Sequence, residues 1–305
     1  MSAETAVTSP VAHTQAEEPV VRLRHPWRWV AVAVLALYAA QAIHFAVTTQ
    51  ALRWDLVGGY LFEESVLRGL GVTVKLTAVS MLVGVGLGTL LAVMRLSDNP
   101  VLRAVAGAYI WLFRGTPILV QLLFWFFLGT VLPTITLGIP FGPDLHSWPT
   151  NTLITQFAAA ILGLGLNEAA YMAEIVRAGI GAVDHGQNEA AEALGMGPVT
   201  TYRRVVLPQA ARLIVPPTAN ETISMLKLTS LVLVIGLPDL TTTVQLIYGR
   251  NLQQIPLLIV ASIWYLVLTT VLTVVQSRLE KRMSRGVSRS GTERRTGFTR
   301  KRGNA

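Results

Sequence analysis

A few charged and hydroxyl side chains stand in stretches of this sequence that are otherwise apolar, and their types define the chemistry open to them. Glu168 lies in a run of Leu, Gly and Ala, and Glu221 in a run broken by Pro216 and Pro217. A carboxylate at membrane depth costs several kcal/mol unless it is paired or wet. Each glutamate therefore either meets a cationic group of a ligand or locks to a neighbouring helix. Lys227, Thr229 and Ser230 follow six to nine residues after Glu221 and offer the opposite sign and hydroxyl groups. A third cluster, Arg114-Gly115-Thr116-Pro117, interrupts an apolar run. Pro117 removes a backbone donor and Gly115 permits close approach, so this step either gates a pathway or braces a kinked packing segment. Such groups suit the binding and passage of a charged solute. Thiol catalysis and disulfides are excluded, because the chain has no cysteine.

The elements that must hold these groups are membrane helices. Of 305 residues, 52% are hydrophobic and only 14% charged, and the mean hydropathy is +0.51. That is the composition of a membrane protein and not of a soluble core. Apolar runs long enough to span a bilayer are expected from about Trp27 to Val47, Leu67 to Met94, Val105 to Leu132, Thr152 to Ile180, Ala210 onward past Leu231, and Ile255 to Val275. The first is too long for a signal-peptide core and reads as an anchor. In the second, Gly84, Gly86 and Gly88 have no strand–turn–helix context and no following Lys-Ser or Lys-Thr, so they are not a nucleotide loop. Gly84 and Gly88, four apart, favour close helix packing instead. Lys75, near the outer end, either snorkels or serves the substrate. The segment after Ala210 carries Pro216, Pro217, Gly236 and Pro238, too many interruptions for one straight helix. Pro133 to Asn151 contains Asp144 and no Lys or Arg, and reads as an outside loop able to carry a surface helix.

Between two apolar spans lies a polar insert, GQNEAAEALGMGPVTTYRRVVLP. Gln187 to Leu194 is rich in good helix formers. Ala190, Ala191 and Leu194 fall on one face, small and flat with one larger anchor. Gly195 can leave helical geometry at little cost, and Pro198 suits the first turn of a second helix. Pro208 marks a break near that helix's end. A helix, a sharp turn and a second helix presented from a membrane suit docking into a partner's cleft.

Glu189-Ala190-Ala191, three residues, Gly195, nine residues, Val205, one residue, then Leu207-Pro208 resembles the cytoplasmic signature of ABC importer permeases, with Val205 where Ile is usual. The Arg114–Pro117 tetrapeptide, and EAAYMAEIVRAGI from Glu168 followed by Gly186-Gln187, resemble the polar amino-acid branch of that family. The first Glu-Ala-Ala, at Glu168, lacks the downstream Gly and Leu-Pro spacing and is not the coupling signature. The resemblance covers roughly Leu67 to Val275. It implies an all-α integral membrane protein of about six transmembrane helices, a five-helix permease core plus one N-terminal anchor. Gly186, Glu189, Ala190, Ala191, Leu194, Gly195, Leu207 and Pro208 would couple to the ATPase, and Glu168, Glu221, Lys227, Thr229 and Ser230 would line the substrate pathway. Arg114, Gly115, Thr116 and Pro117 would gate or pack. The expected organisation is a disordered basic arm at 1–26, an anchor and outer amphipathic loop at 27–66, the permease domain at 67–277 with its coupling loop at 183–209, and a basic tail at 278–305.

The same resemblance implies partners: two ABC ATPase subunits, a second permease that is identical or related, and an extracytoplasmic binding protein for an amino acid. This chain has no Gly-x-x-x-x-Gly-Lys sequence, so no cofactor is expected on it, and ATP and Mg belong to the partner ATPase. It is expected to be no enzyme itself. Other polar solutes, such as osmolytes, remain open as substrates. A secondary transporter working alone would need internal repeats or a self-contained pore; neither is visible. The formal charge of +8 does not point to nucleic acid, because the positive residues cluster beside apolar spans and the tail lacks interleaved aromatics. They fit anionic lipid. Placing both termini in the cytoplasm of a bacterial plasma membrane puts the N-terminal arm, the Arg95–Arg103 turn, the insert and the tail inside, with Arg53, Arg68 and Arg250 as exceptions.

Overall fold

The computed structural model describes residues 26–139 and 144–283. Most of the expected basic arm, and the tail from residue 284, lie outside the described residues. The chain divides into two units, Met1–Leu52 and Arg53–Ala305. The first holds α1 (Pro26–Thr48), whose side chains are almost all exposed along its length. A helix that is apolar all round requires lipid or protein on every face.

The second unit runs through α2 (Trp54–Leu61), α3 (Glu64–Leu96), α4 (Pro100–Gly115), α5 (Ile118–Phe126), α6 (Leu128–Val131), β1 (Thr134–Gly138), β2 (Asp144–Pro149), α7 (Thr150–Leu153), α8 (Gln156–Gly181), α9 (His185–Ala193), α10 (Pro198–Thr201), α11 (Leu207–Leu228), α12 (Leu240–Asn251) and α13 (Gln254–Met283). Among the described residues, 5 helices are long and apolar enough to cross a membrane, or up to 6 if α4 and α5, bent by 101°, form one span. The fold is an all-α membrane protein with one antiparallel hairpin, β1–β2, where a surface helix had been an option. α13 continues to Met283, past the apolar run that ends near Val275.

The centre of the bundle is α3 packed along α8. Apolar burial gives little drive between helices already in lipid, so close fit decides which helices associate. Two glycines provide it. A Cβ at Gly84 would stand 2.5 Å from Cγ of Glu168, and one at Gly88 would stand 2.5 Å from Cβ of Met172 and 2.8 Å from the Ala169 carbonyl. Gly86, on the other side, has open space. The Gly84–Gly88 spacing thus does the packing expected of it.

Three local signals set the remaining geometry. Asn99 caps α4, accepting from the amides of Val101 (2.9 Å) and Leu102 (3.4 Å), with Pro100 at the first helical position. α11 departs from expectation. It runs unbroken through Pro208, Pro216 and Pro217, and its irregular turns lie elsewhere: a wide π-type turn at Tyr202–Val206 and a 3-10 stretch at Thr229–Ile235. Pro208 sits at the second position of α11 with helical backbone before it, and the wide turn ahead of it accommodates both the missing N–H and the ring. The 3-10 stretch ends at Gly236, at φ 69°. Asp239 then caps α12, its Oδ1 accepting from Thr242 N (2.8 Å) and Thr242 Oγ1 (2.7 Å). Its Oδ2 lies 3.5 Å from both Thr73 Oγ1 and Tyr265 OH, so this one buried carboxyl ties α12 to α3 and α13.

Candidate functional site: a cavity at a broken span and a docking helix

The Arg114–Pro117 step is where a helix breaks. α4 ends at Gly115, Thr116 is extended, and α5 begins at Ile118 after a 101° bend. The break frees backbone carbonyls at membrane depth, which must find donors. Gln121 supplies them: its Nε2 donates to the carbonyls of Phe113 (3.0 Å) and Thr116 (3.1 Å) and to Thr116 Oγ1 (2.8 Å). Asn167 on α8 adds a donation to the Phe113 carbonyl (2.8 Å) and one to Gln121 Oε1 (3.3 Å). The break is thus a braced structure with its polar groups satisfied, one turn from Glu168. Both amides were visible in the sequence as polar marks in apolar runs. Their task could not be read there, because it depends on α8 lying beside the break.

An open cavity of ≈ 490 Å³ sits at this point. Its walls include Arg114 through Ile118, Asn167, Glu168 and Tyr171 from α8, and Glu221 and Leu228 from α11. Arg114 stacks over the Tyr171 ring at 5.2 Å, a cation–π contact that aims the guanidinium at α8. Glu168 is 3% exposed, and its Oε1 has no hydrogen-bond partner among the described residues. A buried, unsatisfied carboxylate oxygen on a cavity wall is costly unless something polar enters to meet it. The neighbouring ion pair joins Glu174 to Arg177 (2.7 Å) and does not include Glu168.

The sequence-expected pathway residues divide at this point. Glu168 and Glu221 come together with Arg114, Gly115, Thr116 and Pro117 around one cavity. Lys227, Thr229 and Ser230 do not line it. Thr229 is wholly buried and donates to the Leu226 carbonyl (2.7 Å), and Ser230 donates to the Lys227 carbonyl (2.7 Å), so both hydroxyls close the last turn of α11. Lys227 is exposed. Lys75 stands over the Phe157 ring at 5.1 Å.

The polar insert is as compact as its sequence suggests. Asp184 caps α9 through the Gly186 amide (2.9 Å). At the other end Gly195 turns left-handed at φ 73°, its amide bonding to the Glu192 carbonyl (2.9 Å) and the Met196 amide to the Ala191 carbonyl (3.0 Å). These two bonds form a Schellman motif. Gln209 reaches back from α11 to Gln187 Oε1 (3.3 Å), and Val183, Val206 and Ala210, which flank the insert, make a small core with Ile180 and Ile214. The three-residue small face is corrected in one respect. Ala191 is buried at 3% exposure, whereas Glu189, Ala190, Gly195 and Leu194, the last at 81%, face out. At 100° per residue Ala191 falls on the inner side, where it meets its own chain. Leu207 is exposed at the start of α11, next to Pro208.

A polytopic helical bundle with a charged cavity at a broken span, and a rigid polar helix projecting beyond it, is the architecture of a membrane permease. The chain belongs to the family of binding-protein-dependent transport system inner membrane components, which residues 84–285 match. It is 48% identical, over 93% of its length and 90% of the relative's, to the arginine transport system permease protein ArgU of Corynebacterium glutamicum. It is 36% identical to the arginine transport system permease protein ArtQ of Bacillus subtilis, over 72% of this chain and 92% of that one. Among solved structures, the crystal structure of an amino acid ABC transporter with histidines superposes with a TM-score of 0.61 at 38% identity, covering 72% of this chain and 94% of that one. The protein is therefore a multi-pass ABC importer permease, a translocation component related to those of amino acids and other polar solutes.

Proposed function

We propose that this chain moves a polar amino acid into the bacterial cytoplasm, and that the amino acid is a cationic one. The observation that carries this reading is the set of charges on the cavity wall: two carboxylates, Glu168 and Glu221, and one guanidinium, Arg114. A zwitterion uses one of each sign. A cationic amino acid has one carboxylate and two cations, and so matches the whole set. The relatives named for arginine support the same class. Arg114 receives the substrate carboxylate, and Glu168 and Glu221 receive its two cationic groups, a neutralisation that offsets the cost of burying each charge. Thr229 and Ser230 steady the last turn of α11, which ends at the wall residue Leu228, and Lys227 stands exposed beside them.

Transport is driven by hydrolysis of ATP, with its Mg, on two separate ATPase subunits. The face of Glu189, Ala190, Leu194 and Gly195 docks on them, while Gly186, Ala191, Leu207 and Pro208 hold that face in place. A second permease, identical or related, completes the pathway, and a binding protein delivers substrate from outside. The membrane is the bacterial inner membrane, with both termini in the cytoplasm and the basic tail against its lipid. Coupling requires α9 to bind the ATPase differently in its two states.

Charge-neutral, near-isosteric replacements test the substrate reading. In the reconstituted complex, Glu168→Gln and Glu221→Gln are each expected to raise the KM for arginine by about tenfold or more, the worth of one charge-assisted hydrogen bond. Uptake of a neutral amino acid should suffer less. Equal loss for cationic and neutral substrates would instead assign both glutamates to helix bracing.

A further inference from the structure

The β1–β2 hairpin carries two unlike faces. Ile135 pairs with Trp148, and Leu137 with His146. Directly opposed residues share a face and alternate residues return to it, so these four side chains lie together. The ring contact of His146 with Trp148, 4.2 Å between centroids, bears this out. The other face holds Thr134, Pro149, Thr136 and Ser147, with the Thr136 and Ser147 hydroxyls 3.2 Å apart. A lone two-stranded ribbon is marginal in water. This one nevertheless leaves Leu137 61% exposed, with His146 exposed and Ile135 and Trp148 half-buried, among the described residues.

Its position limits what covers that face. The hairpin starts directly after α6, whose last residue Val131 is 81% exposed, and the Thr150 amide pins its base to the Pro133 carbonyl at 2.9 Å. It is therefore continuous with the exposed apolar end of the broken span that precedes it. It precedes α8, and the docking helix α9 follows α8. The 26 residues between stand for roughly 40 Å of helix, so hairpin and docking helix lie at opposite ends. Both strands are edge strands. Their unpaired N–H and C=O groups cannot enter hydrocarbon, where no water is available. The apolar face draws the ribbon toward lipid and the open edges hold it out. Both conditions are met at headgroup depth, where Trp side chains also reside.

We propose that the β1–β2 hairpin is an interfacial lipid-binding element that lies flat on the membrane surface opposite the docking helix, with Ile135, Leu137 and Trp148 turned into the headgroup layer. It rests on the membrane reading and is independent of which solute is carried. The chain has no native cysteine, so single cysteines report cleanly. Nitroxide labels at Leu137→Cys and Thr136→Cys would be compared in the full complex in lipid vesicles. The readout is collision with lipid-soluble oxygen against a water-soluble nickel chelate. The expected result is an oxygen-to-nickel ratio several-fold higher at 137 than at 136. If either variant fails to assemble, His146→Cys and Ser147→Cys sample the same two faces. Equal exposure of both faces to nickel would overturn the proposal. So would a label at 137 shielded from both reagents and released when the binding protein is omitted, which would make the hairpin a protein-docking site. Failure of amino-acid transport would not alter these ratios, so the two readings fail separately.

Discussion

Asp239 shows how much one buried polar group can organise. It is fully buried, caps α12 and touches hydroxyls from α3 and α13, but no cation pairs with it in those contacts. Burial pushes its carboxyl above the ordinary 3.8. A carboxyl raised in this way binds its proton more tightly when folded. Its stabilising contribution is complete below the unfolded value and is lost as pH rises through the shifted one. Asp239→Asn keeps an oxygen for Thr242 and a donor for Thr73 and Tyr265. Its melting temperature should therefore gain on the wild type as pH rises through that window. Asp239→Ala strands the Thr242 amide and should lose about 1–3 kcal/mol at every pH. Thermal unfolding in detergent across pH checks both; an Asn variant as unstable as the Ala variant would contradict the account. The sequence shows this aspartate only as a loop residue after a proline, because the two partners that tie it to other helices, Thr73 and Tyr265, lie more than twenty positions away on either side.

At the scale of elements, what could be read in advance was whatever depends on local spacing. The helix break at Gly115–Pro117, the left-handed turn at Gly195 and the close helix packing at Gly84 and Gly88, though not its partner α8, follow from residues close in the chain. What escaped depends on packing at a distance. α11 tolerates Pro216 and Pro217 as a continuous helix, and Lys227, Thr229 and Ser230 turn away from the cavity that Glu221 lines. Ala191 is buried on a helix that packs against the Tyr202–Val206 turn and α10, a contact made across the loop and not read from the spacing within α9. The seam gives the sharpest test. Gly88→Ala places a methyl against the Ala169 backbone carbonyl and should cost about 1–3 kcal/mol by overpacking. Gly86→Ala meets nothing and should be neutral or slightly stabilising. Comparable melting temperatures for the two variants would show that α3 and α8 are not packed as described.

At the scale of the whole molecule, the long apolar helices, the charged cavity on one side of α8 and the rigid α9 at its end form a single line of connection. α8 carries Asn167, Glu168 and Tyr171 on the cavity wall and ends three residues before α9 begins. On the proposed mechanism, a displacement of α9 acts through the short link to α8, the helix that holds Glu168. The membrane class was legible from composition and the compact polar insert from its spacing; the cavity was not, since it assembles residues from four separate helices. The central claim is that an ATPase moves α9 and thereby works the cavity. It is tested most directly by ATP hydrolysis in the reconstituted complex with its ATPase, second permease and binding protein, across a panel of amino acids. The account predicts stimulation by arginine or a related cationic amino acid. It predicts loss of that stimulation in Glu189→Ala or Gly195→Ala, with the permease still folded. Failure of any ATPase to associate with the intact permease, or stimulation unchanged by both substitutions, would contradict it.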